Sequence, residues 1–322
     1  MNELRIQPQI GIKPSSVDLN GILSVAVEKL YNDQHDENIY YYFHEFYNSI
    51  NNYINENNSF ESYDEFIKNC RQHPIHNILQ QAAYNRRQFN KPRGYSGDAV
   101  TIDYIYRLKG SELEDSYLGR EIHNACMDTS ACASVRWRAR HLADKIELAS
   151  QDQKPNILSL ASGHLRELLY ISDFENKIGN FYAVDQDKES NEEARRSLPY
   201  HNLFITENSV LDVILGKYST AEPLHFIYSC GLFDYLNDKV ASKLILRCMQ
   251  MLAPGGKLLI ANFVPGIVEQ AYMEAFMDWY LIYRDEAQME SLINKETKPL
   301  VEDIKMYRDP MGNVVYMEVV RK

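Results

Sequence analysis

The stretch NILSLASGHLRE, residues 156–167, joins a short apolar run to a pattern typical of a helix. A run of this length that ends in small residues is typical of a strand buried in a sheet. Its end carries Ala161, Ser162 and Gly163, whose small side chains let a ligand approach the backbone closely. In an open α/β sheet, ligands bind beyond the carboxyl ends of the strands. The stretch therefore predicts the first strand of such a sheet and one wall of a binding site.

The sequence after this stretch alternates short apolar runs with segments that have a helical pattern. Four further runs follow in order: FYAVD, NLFITENSV, LHFIYSC and KLLIANF. Alternation at this spacing indicates a parallel sheet that helices cover on both faces. The last two apolar segments, KPLVEDIKMYRD and NVVYMEVVRK, instead flank the turn formers Asp309 to Asn313. We expect an α/β fold with five parallel strands and a C-terminal antiparallel hairpin.

The first 150 residues have a different pattern, with apolar side chains at helical spacing. In NIYYYFHEFYNSINNYI, the aromatic residues Tyr40, Phe43 and Tyr47 recur on one face. Further along, Ala125 to Ala149 predicts one long helix. We therefore expect two domains, a helical substrate or lid domain at residues 1–150 and the α/β domain at residues 151–322. The aromatic face near the N-terminus is a candidate homodimer surface.

Composition and charge disfavour several classes of protein. The chain has 322 residues and a formal net charge of -11, which disfavours a general nucleic-acid or anionic-membrane binder. Its five cysteines include no CxxC pair, so neither a disulfide framework nor a metal site is expected. The start, MNELRIQPQIGIK, lacks the apolar core of a secretory signal. The apolar stretch LLIANFVPGIV is too short to span a bilayer, and we expect a cytoplasmic location.

Asp185 closes the second predicted strand, 22 residues after Gly163. An acidic residue at this position can accept hydrogen bonds from both ribose hydroxyls of a nucleoside ligand. The spacing alone does not distinguish a dinucleotide from S-adenosylmethionine. A pyrophosphate favours a glycine-rich loop that leads into a helix. Here only one glycine is present and Leu165 and Arg166 follow it, which disfavours NAD, as does the C-terminal hairpin.

Several motifs together carry a family resemblance. They are KPRGYSGDAVTIDYIY, LSLASGHLREL, VDQD, YSCGLFDYL, LAPGGKLLIANF and DWYLIYR. The second half of the chain resembles a class I S-adenosylmethionine-dependent methyltransferase. More specifically, residues 91–322 resemble a bacterial family that includes enzymes making methyl esters of 3-hydroxy fatty acids such as 3-hydroxypalmitate. The resemblance implies a seven-stranded, Rossmann-like sheet and S-adenosyl-L-methionine as cofactor.

The resemblance also implies which residues touch that cofactor at each strand end. The implied contacts are Ala161, Ser162 and Gly163 to the methionine part, Asp185 and Gln186 to the ribose and adenosine, Asn208, Ser209 and Val210 to the adenine, and Ser229, Cys230 and Gly231 near the reacting centre.

The stretch NKPRGYSGDAV, residues 90–100, is too rich in functional side chains for a plain connector. Two glycines allow a tight, non-helical loop, from which Arg93, Tyr95 and Asp98 can point into a cleft. Asp98 can instead cap the helix that starts at Ala99, because aspartate is a favoured N-cap residue. We expect the loop to cover the cofactor.

The acceptor of the methyl group decides which further residues are needed. A carboxylate is already ionised at neutral pH, whereas an alcohol or amine usually needs a general base. No histidine-centred pair stands out in the sequence, and His164 has a lesser claim to a catalytic role. A fixed guanidinium suits a carboxylate, so Arg93, Arg136 or Arg140 would orient the acceptor. Arg136 and Arg140 are one helical turn apart and share a face.

The stretch DWYLIYRDEAQM predicts a helix above the strand ends. On such a helix, Trp279 and Tyr283 lie four residues apart and would form one wall of the cleft. Tyr106 and Tyr235 are further aromatic residues expected near the site. For all four side chains, helix packing is the competing interpretation.

Together these observations predict a methyltransferase that O-methylates a carboxylate, such as a 3-hydroxy fatty acid, to its methyl ester. The expected partner is a small anionic acceptor, with acyl compounds as one option. Two alternatives stay open: an O- or N-methyltransferase for another small molecule, and a catalytically inactive, cofactor-binding regulatory protein. Ala161 and Leu165 keep the second alternative open, because class I loops generally carry glycine there.

Overall fold

The computed structural model describes residues 18–32, 39–57, 60–108, 116–151 and 153–322. The N-terminal stretch MNELRIQPQIGIK, which concerns the expected lack of a secretory signal, lies outside these residues. None of the helices described has the length and apolar character that crossing a membrane requires.

The described part of the first half folds as helices. In chain order these are α1 (Leu19–Asn32), α2 (Ile39–Glu56), α3 (Phe60–Gln72), α4 (Ile75–Leu79), α5 (Ala83–Asn90), α6 (Ala99–Ile105), α7 (Tyr117–Met127) and α8 (Ser130–Ala149). The prediction of one helix from Ala125 to Ala149 is wrong, because α7 ends and α8 begins within that range. The Thr129 side chain accepts a hydrogen bond from the Cys132 amide at 3.4 Å and caps the new helix.

The second half forms a seven-stranded sheet with helices between its strands. The strands are β1 (Ile157–Leu160), β2 (Phe181–Asp185), β3 (Leu203–Glu207), β4 (Leu224–Ser229), β5 (Leu252–Phe263), β6 (Val301–Arg308) and β7 (Val314–Arg321). The helices are α9 (Phe174–Lys177), α10 (Lys188–Ser197), α11 (Val210–Ile214), α12 (Asp238–Met251), α13 (Gln270–Phe276) and α14 (Glu286–Ser291).

The strands lie in the order β3-β2-β1-β4-β5-β7-β6. Strands β1 to β5 are parallel, and β7 runs antiparallel between β5 and β6. The turn of the hairpin is closed by Asp309, whose Oδ1 accepts a hydrogen bond from the Val314 amide at 2.7 Å. The predicted parallel sheet with a C-terminal hairpin is therefore confirmed.

The position of β1 creates the crevice where a ligand can bind. Its neighbours are β2 on one side and β4 on the other, so the connections after β1 and β3 leave in opposite directions. Such a switch point opens a crevice beyond the carboxyl ends of the strands. All four residues of β1 are buried, as a strand covered on both faces requires.

The helical half packs against α13, which follows β5. On α2, the rings of Phe43 and Tyr47 lie 5.7 and 4.8 Å from the ring of Tyr272 on α13. Arg71 of α3 pairs with Asp278, just after α13, at 2.7 Å. Buried apolar residues of both halves form one continuous core. The division into domains at residue 150 stays a prediction.

Candidate active site

A cavity of about 550 Å³ lies at the carboxyl ends of β1, β2 and β4. Its volume is within the range of sites for small molecules and cofactors. The segment between α5 and α6, here called the lid loop (residues 91–98), and α6 itself cover it, and α8 supplies a further wall. The cavity is therefore where the sequence predicts the cofactor.

The loop after β1 has an unusual backbone that aims its amides at β2. Ala161, Gly163 and Leu165 all have left-handed φ angles, of 51°, 55° and 52°. This conformation is strained for alanine and leucine, so neighbouring contacts must hold it. One such contact is the hydrogen bond that the Gly163 amide donates to Asp185 Oδ2 at 2.8 Å.

Asp185 is fixed by the backbone on both sides. Its Oδ1 accepts a second hydrogen bond, from the Asp187 amide at 2.8 Å. Burial raises the pKa of the Asp185 carboxyl, an effect that these two amide hydrogen bonds oppose. A carboxylate has about four lone-pair sites, so two remain for a ligand. The group can therefore accept the pair of hydrogen bonds that a ribose offers.

Most of the other predicted cofactor residues also line the cavity. They are Ala161, Ser162, Gly163, Gln186, Asn208, Val210, Cys230 and Gly231. Burial raises the pKa of the Cys230 thiol to about 12, so it is neutral at physiological pH.

Ser209 and Ser229 do not line the cavity, so the structure does not bring them together with the other predicted cofactor residues. Ser209 caps α11 and forms a capping box with Asp212. Ser229 donates a hydrogen bond to the Leu160 carbonyl at 2.9 Å, which ties β4 to β1. Both hydroxyls have structural partners because each sits at the end of a secondary-structure element.

Arg93 lines the cavity, and its two terminal nitrogens are already engaged, whereas its Nε is buried without a partner. It donates to Asp187 at 2.9 Å, to Ser190 at 2.8 Å and to Glu189 at 3.2 Å. These contacts connect the lid loop to the start of α10. The geometry therefore favours a role for Arg93 in holding the lid loop against α10, rather than the predicted contact with an acceptor.

Asp98 is fully buried and serves as the N-cap of α6. It accepts hydrogen bonds from the Thr101 amide at 2.8 Å and from Arg87 at 3.0 and 2.7 Å. The capping interpretation is confirmed. Tyr95, between these residues and Arg93, does line the cavity, and burial raises the pKa of its hydroxyl.

Two of the predicted acceptor arginines, Arg136 and Arg140, lie on α8 but on faces that do not line the cavity. Arg136 donates to the Met127 carbonyl, and the Arg140 guanidinium lies 4.6 Å above the Tyr170 ring. Neither lines the cavity, whereas Arg138 does. Residues two apart on a helix point about 200° apart, because a turn takes 3.6 residues. The sequence could have indicated Arg138, because it lies between the apolar residues Val135 and Leu142 on the buried face of α8.

Arg138 has no ion pair with any carboxylate in the described part of the chain. Burial tends to lower the pKa of its guanidinium, but the nearby hydroxyls of Tyr106 and Tyr316 raise it above the usual value. Two buried carboxyls that line the same cavity, Glu167 and Asp234, are close enough to interact with it electrostatically. Burial raises the pKa of both, in Asp234 to about 6. Arg138 is thus a permanent cation available to an anionic ligand.

The segment around DWYLIYR is irregular rather than helical, so that prediction is wrong. Asp278 has a φ of 50°, α13 ends at Phe276, and regular helix resumes only at α14. Trp279 still lines the cavity and donates to the Tyr235 hydroxyl at 2.8 Å. Tyr283 does not line it.

Arg284 anchors this irregular segment to the sheet half. It is nearly fully buried, at 2% exposure. Its guanidinium donates to the Phe233 carbonyl and to Asn262 Oδ1, both at 2.8 Å. These contacts hold the segment against β5 and the turn after β4, and they depend on residues far apart in sequence.

A histidine–aspartate pair escaped the sequence analysis. His164 Nδ1 lies 2.9 Å from Asp103 Oδ2, and Arg166 donates twice to the same carboxylate at 2.8 Å. Burial would raise the pKa of Asp103, but Arg166 and His164 outweigh it and hold that pKa at about 2. Because the partners lie 61 residues apart on different elements, no local pattern predicts the pair.

Three polar atoms of cavity-lining residues are buried without a partner: Arg93 Nε, Ser162 Oγ and His164 Nε2. Buried polar atoms normally have partners, so each is a place where a ligand group fits. Together with Asp185 and the apolar Val184 and Val210, they suit a nucleoside with a polar tail. The residues present therefore fit S-adenosylmethionine.

Comparison with known proteins supports the fold. No protein-family model matches the chain, and no curated protein matches its sequence. The solved structure of a possible exported protein from Bordetella parapertussis covers 97% of this chain and 99% of its own, with a TM-score of 0.60 and 13% identity.

Two weaker structural matches are named methyltransferases. Magnesium protoporphyrin IX methyltransferase from Synechocystis, solved with bound S-adenosylmethionine, covers 60% of this chain and 82% of its own, with a TM-score of 0.43 and 8% identity. The N-methyltransferase NodS from Bradyrhizobium japonicum covers 56% of this chain and 95% of its own, with a TM-score of 0.39 and 13% identity.

The sheet order, with an antiparallel seventh strand between the fifth and sixth, defines the class I methyltransferase fold. The Bordetella protein shares the architecture over nearly its whole length, helical half included. At this sequence identity, the likeness concerns the fold and leaves the expected cytoplasmic location a prediction.

Proposed function

We propose that this protein is an S-adenosylmethionine-dependent methyltransferase acting on a small anionic molecule. The observation that carries the proposal is the Asp185 carboxylate, fixed by two backbone amides at the switch point of the sheet. A carboxylate so placed selects a ligand with paired hydroxyls, as a ribose has.

The residues around the cavity divide among the parts of such a cofactor. Asp185 would hold the ribose hydroxyls, Asn208 and Val210 would flank the adenine, and Ser162 and Gly163 would receive the methionine end. The bound cofactor supplies a methyl group on a positively charged sulfur. The chain's own task is to align an acceptor with that group and to exclude water.

The acceptor is proposed to be a carboxylate. Arg138 supports this, because it is a cation in the cavity without an ion-pair partner among the described residues. Tyr106 stands beside it and can donate to the second oxygen of a carboxylate. A carboxylate needs no general base, so Arg138 and Tyr106 have only to orient it.

The nonpolar walls of the cavity support an acceptor with an apolar part. Ile102, Leu142, Trp279 and Leu281 all line it. This combination suits an acyl chain that ends in a carboxylate. The most specific reaction that we propose is O-methylation of a 3-hydroxy fatty acid, which the family resemblance suggests.

The cofactor is tested by calorimetric titration of the full chain with S-adenosylhomocysteine. Asp185→Ala is expected to weaken binding about 100-fold, since hydrogen bonds to a charged group are lost. Glu207→Ala is the matched control, because Glu207 ends the neighbouring strand in register with Asp185 and is exposed. Absence of binding by the wild-type protein would refute the proposal.

The acceptor is tested with methyl-labelled cofactor and carboxylic acids of increasing chain length. An ester product releases its labelled methyl group as methanol in mild alkali, whereas an ether or N-methyl product does not. Label that survives this treatment would move the activity to a hydroxyl or amine acceptor.

A further inference from the structure

His164 combines an oriented ring with an unsatisfied nitrogen. The residue is 5% exposed and lines the cavity, and its Nε2 is buried without a partner. Ser162, two residues earlier, has a hydroxyl in the same condition. A pair of buried, unsatisfied polar atoms on one loop indicates that a polar ligand group belongs there.

Asp103 determines which nitrogen of the ring carries the proton. The 2.9 Å contact from His164 Nδ1 to Asp103 is much shorter than the 3.5 Å contact from Nδ1 to Arg166. Because Asp103 is ionised and can only accept, Nδ1 is the nitrogen that donates. In the neutral ring, Nε2 is then a bare acceptor, and its partner must be a donor.

The charges facing His164 favour a cationic donor. Asp103 comes from α6, Arg166 follows the same loop, Glu193 of α10 pairs with Arg166 at 3.0 Å, and Asp185 closes β2 nearby. The three carboxylates carry more negative charge than the single guanidinium of Arg166 can balance. A cation beside the ring is stabilised by this excess of negative charge.

The loop itself offers no carboxylate to such a cation. Residues 160–165 include no acid, and the two lone-pair sites that remain on Asp185 are assigned to the ribose hydroxyls. Glu167, further along, accepts from the Tyr228 hydroxyl at 2.6 Å. The imidazole is therefore the side-chain acceptor available on this loop for a charged donor.

We propose that His164 Nε2 accepts a hydrogen bond from the ammonium group at the amino-acid end of the methyl donor. The Ser162 hydroxyl donates to the carboxylate of the same end. The inference rests on the proposed function and deepens it, because it assigns the polar end of the cofactor to a histidine that an aspartate from the helical half orients.

The test uses two ligands that differ only in this end. S-adenosylhomocysteine carries the amino-acid group, whereas 5′-methylthioadenosine has the same adenosine and sulfur without it. Calorimetry on the full chain compares the wild type with His164→Leu, which removes the acceptor, and His164→Gln, whose amide oxygen can take the place of Nε2. Methylthioadenosine also reports whether each variant is folded.

His164→Leu is expected to weaken S-adenosylhomocysteine binding about 10- to 100-fold, as for a lost hydrogen bond to a charged group. Methylthioadenosine binding should stay within about 2-fold, because the hydrogen bonds of Asp185 to the ribose are unchanged. His164→Gln should restore part of the loss.

The outcomes are distinguishable. Equal weakening of both ligands by His164→Leu would show that the ring supports the adenosine site or the fold, and would overturn the inference. Unchanged binding of both would overturn it as well. If the wild type binds neither ligand, the proposed cofactor itself is wrong, and the inference fails with it.

Discussion

The two halves of the molecule contribute to the cavity in different ways. The sheet half provides groups that the backbone fixes, such as Asp185 held by the amides of Gly163 and Asp187. The helical half provides long side chains that reach in from helices and loops, such as Arg93 and Arg138. The sheet half suits a cofactor of constant shape, and the helical half can define the acceptor.

The strongest test of this division is Arg138→Met, with Arg140→Met as the control. Methionine keeps much of the stem but removes the cation that we assign to the acceptor. Turnover is expected to fall about 100-fold or more, as when one preorganised charge-stabilising donor is removed. Binding of S-adenosylhomocysteine should change little, because the cofactor contacts lie on the sheet half.

Arg140→Met should leave turnover near wild type, because Arg140 is exposed and stacks on Tyr170. Initial rates and calorimetry on both variants decide the matter. If Arg140→Met lost turnover while Arg138→Met kept it, the sequence prediction that Arg140 orients the acceptor would be right. The assignment of that role to Arg138 would then be refuted.

The same division explains what the sequence could predict. Strand ends of a parallel sheet meet at one edge, so an acid that closes a strand is placed by local pattern alone, as Asp185 shows. All five predicted parallel strands and the final hairpin are present. The helical half gave errors, because the direction of a helical side chain depends on which face packs inward. Arg138 rather than Arg136 or Arg140 reaches the cavity for this reason.

Long-range contacts account for the remaining errors. The segment after α13 has helical periodicity but is irregular, and the buried Arg284 anchors it through contacts to Phe233 and Asn262. Likewise, Asp103 and His164 meet only because α6 packs against the loop after β1. Neither arrangement can be predicted from a sequence window of ten or twenty residues.

A smaller effect is expected where the two halves touch, at Gly97 in the lid loop. A methyl group on Gly97 would collide with the Tyr235 hydroxyl and meet Trp279 at 3.0 Å. Gly97→Ala should therefore destabilise the fold by about 1–3 kcal/mol, as overpacking does. Urea unfolding measures the change, and tryptophan fluorescence reports displacement of Trp279.

Gly21→Ala is the control for this substitution. Gly21 lies within α1 and has open space around its Cα, so alanine should leave stability unchanged or raise it by up to about 1 kcal/mol. Equal stability of Gly97→Ala and wild type would mean that the lid loop can shift to accommodate the methyl group. The contact between Trp279 and Tyr235 would then not fix the position of the lid loop.

The smallest effect is expected at Arg93, which belongs to the helical half but contacts the cofactor side. Its guanidinium binds Asp187, whose amide in turn donates to Asp185. Arg93→Ala should therefore weaken S-adenosylhomocysteine binding by about 3- to 10-fold, the range of a partly buried ion pair. Glu189→Gln removes only the exposed partner and should bind like wild type. If turnover were lost while cofactor affinity stayed unchanged, Arg93 would contact the acceptor, as the sequence predicts. The lid loop would then bind the acceptor and not the cofactor.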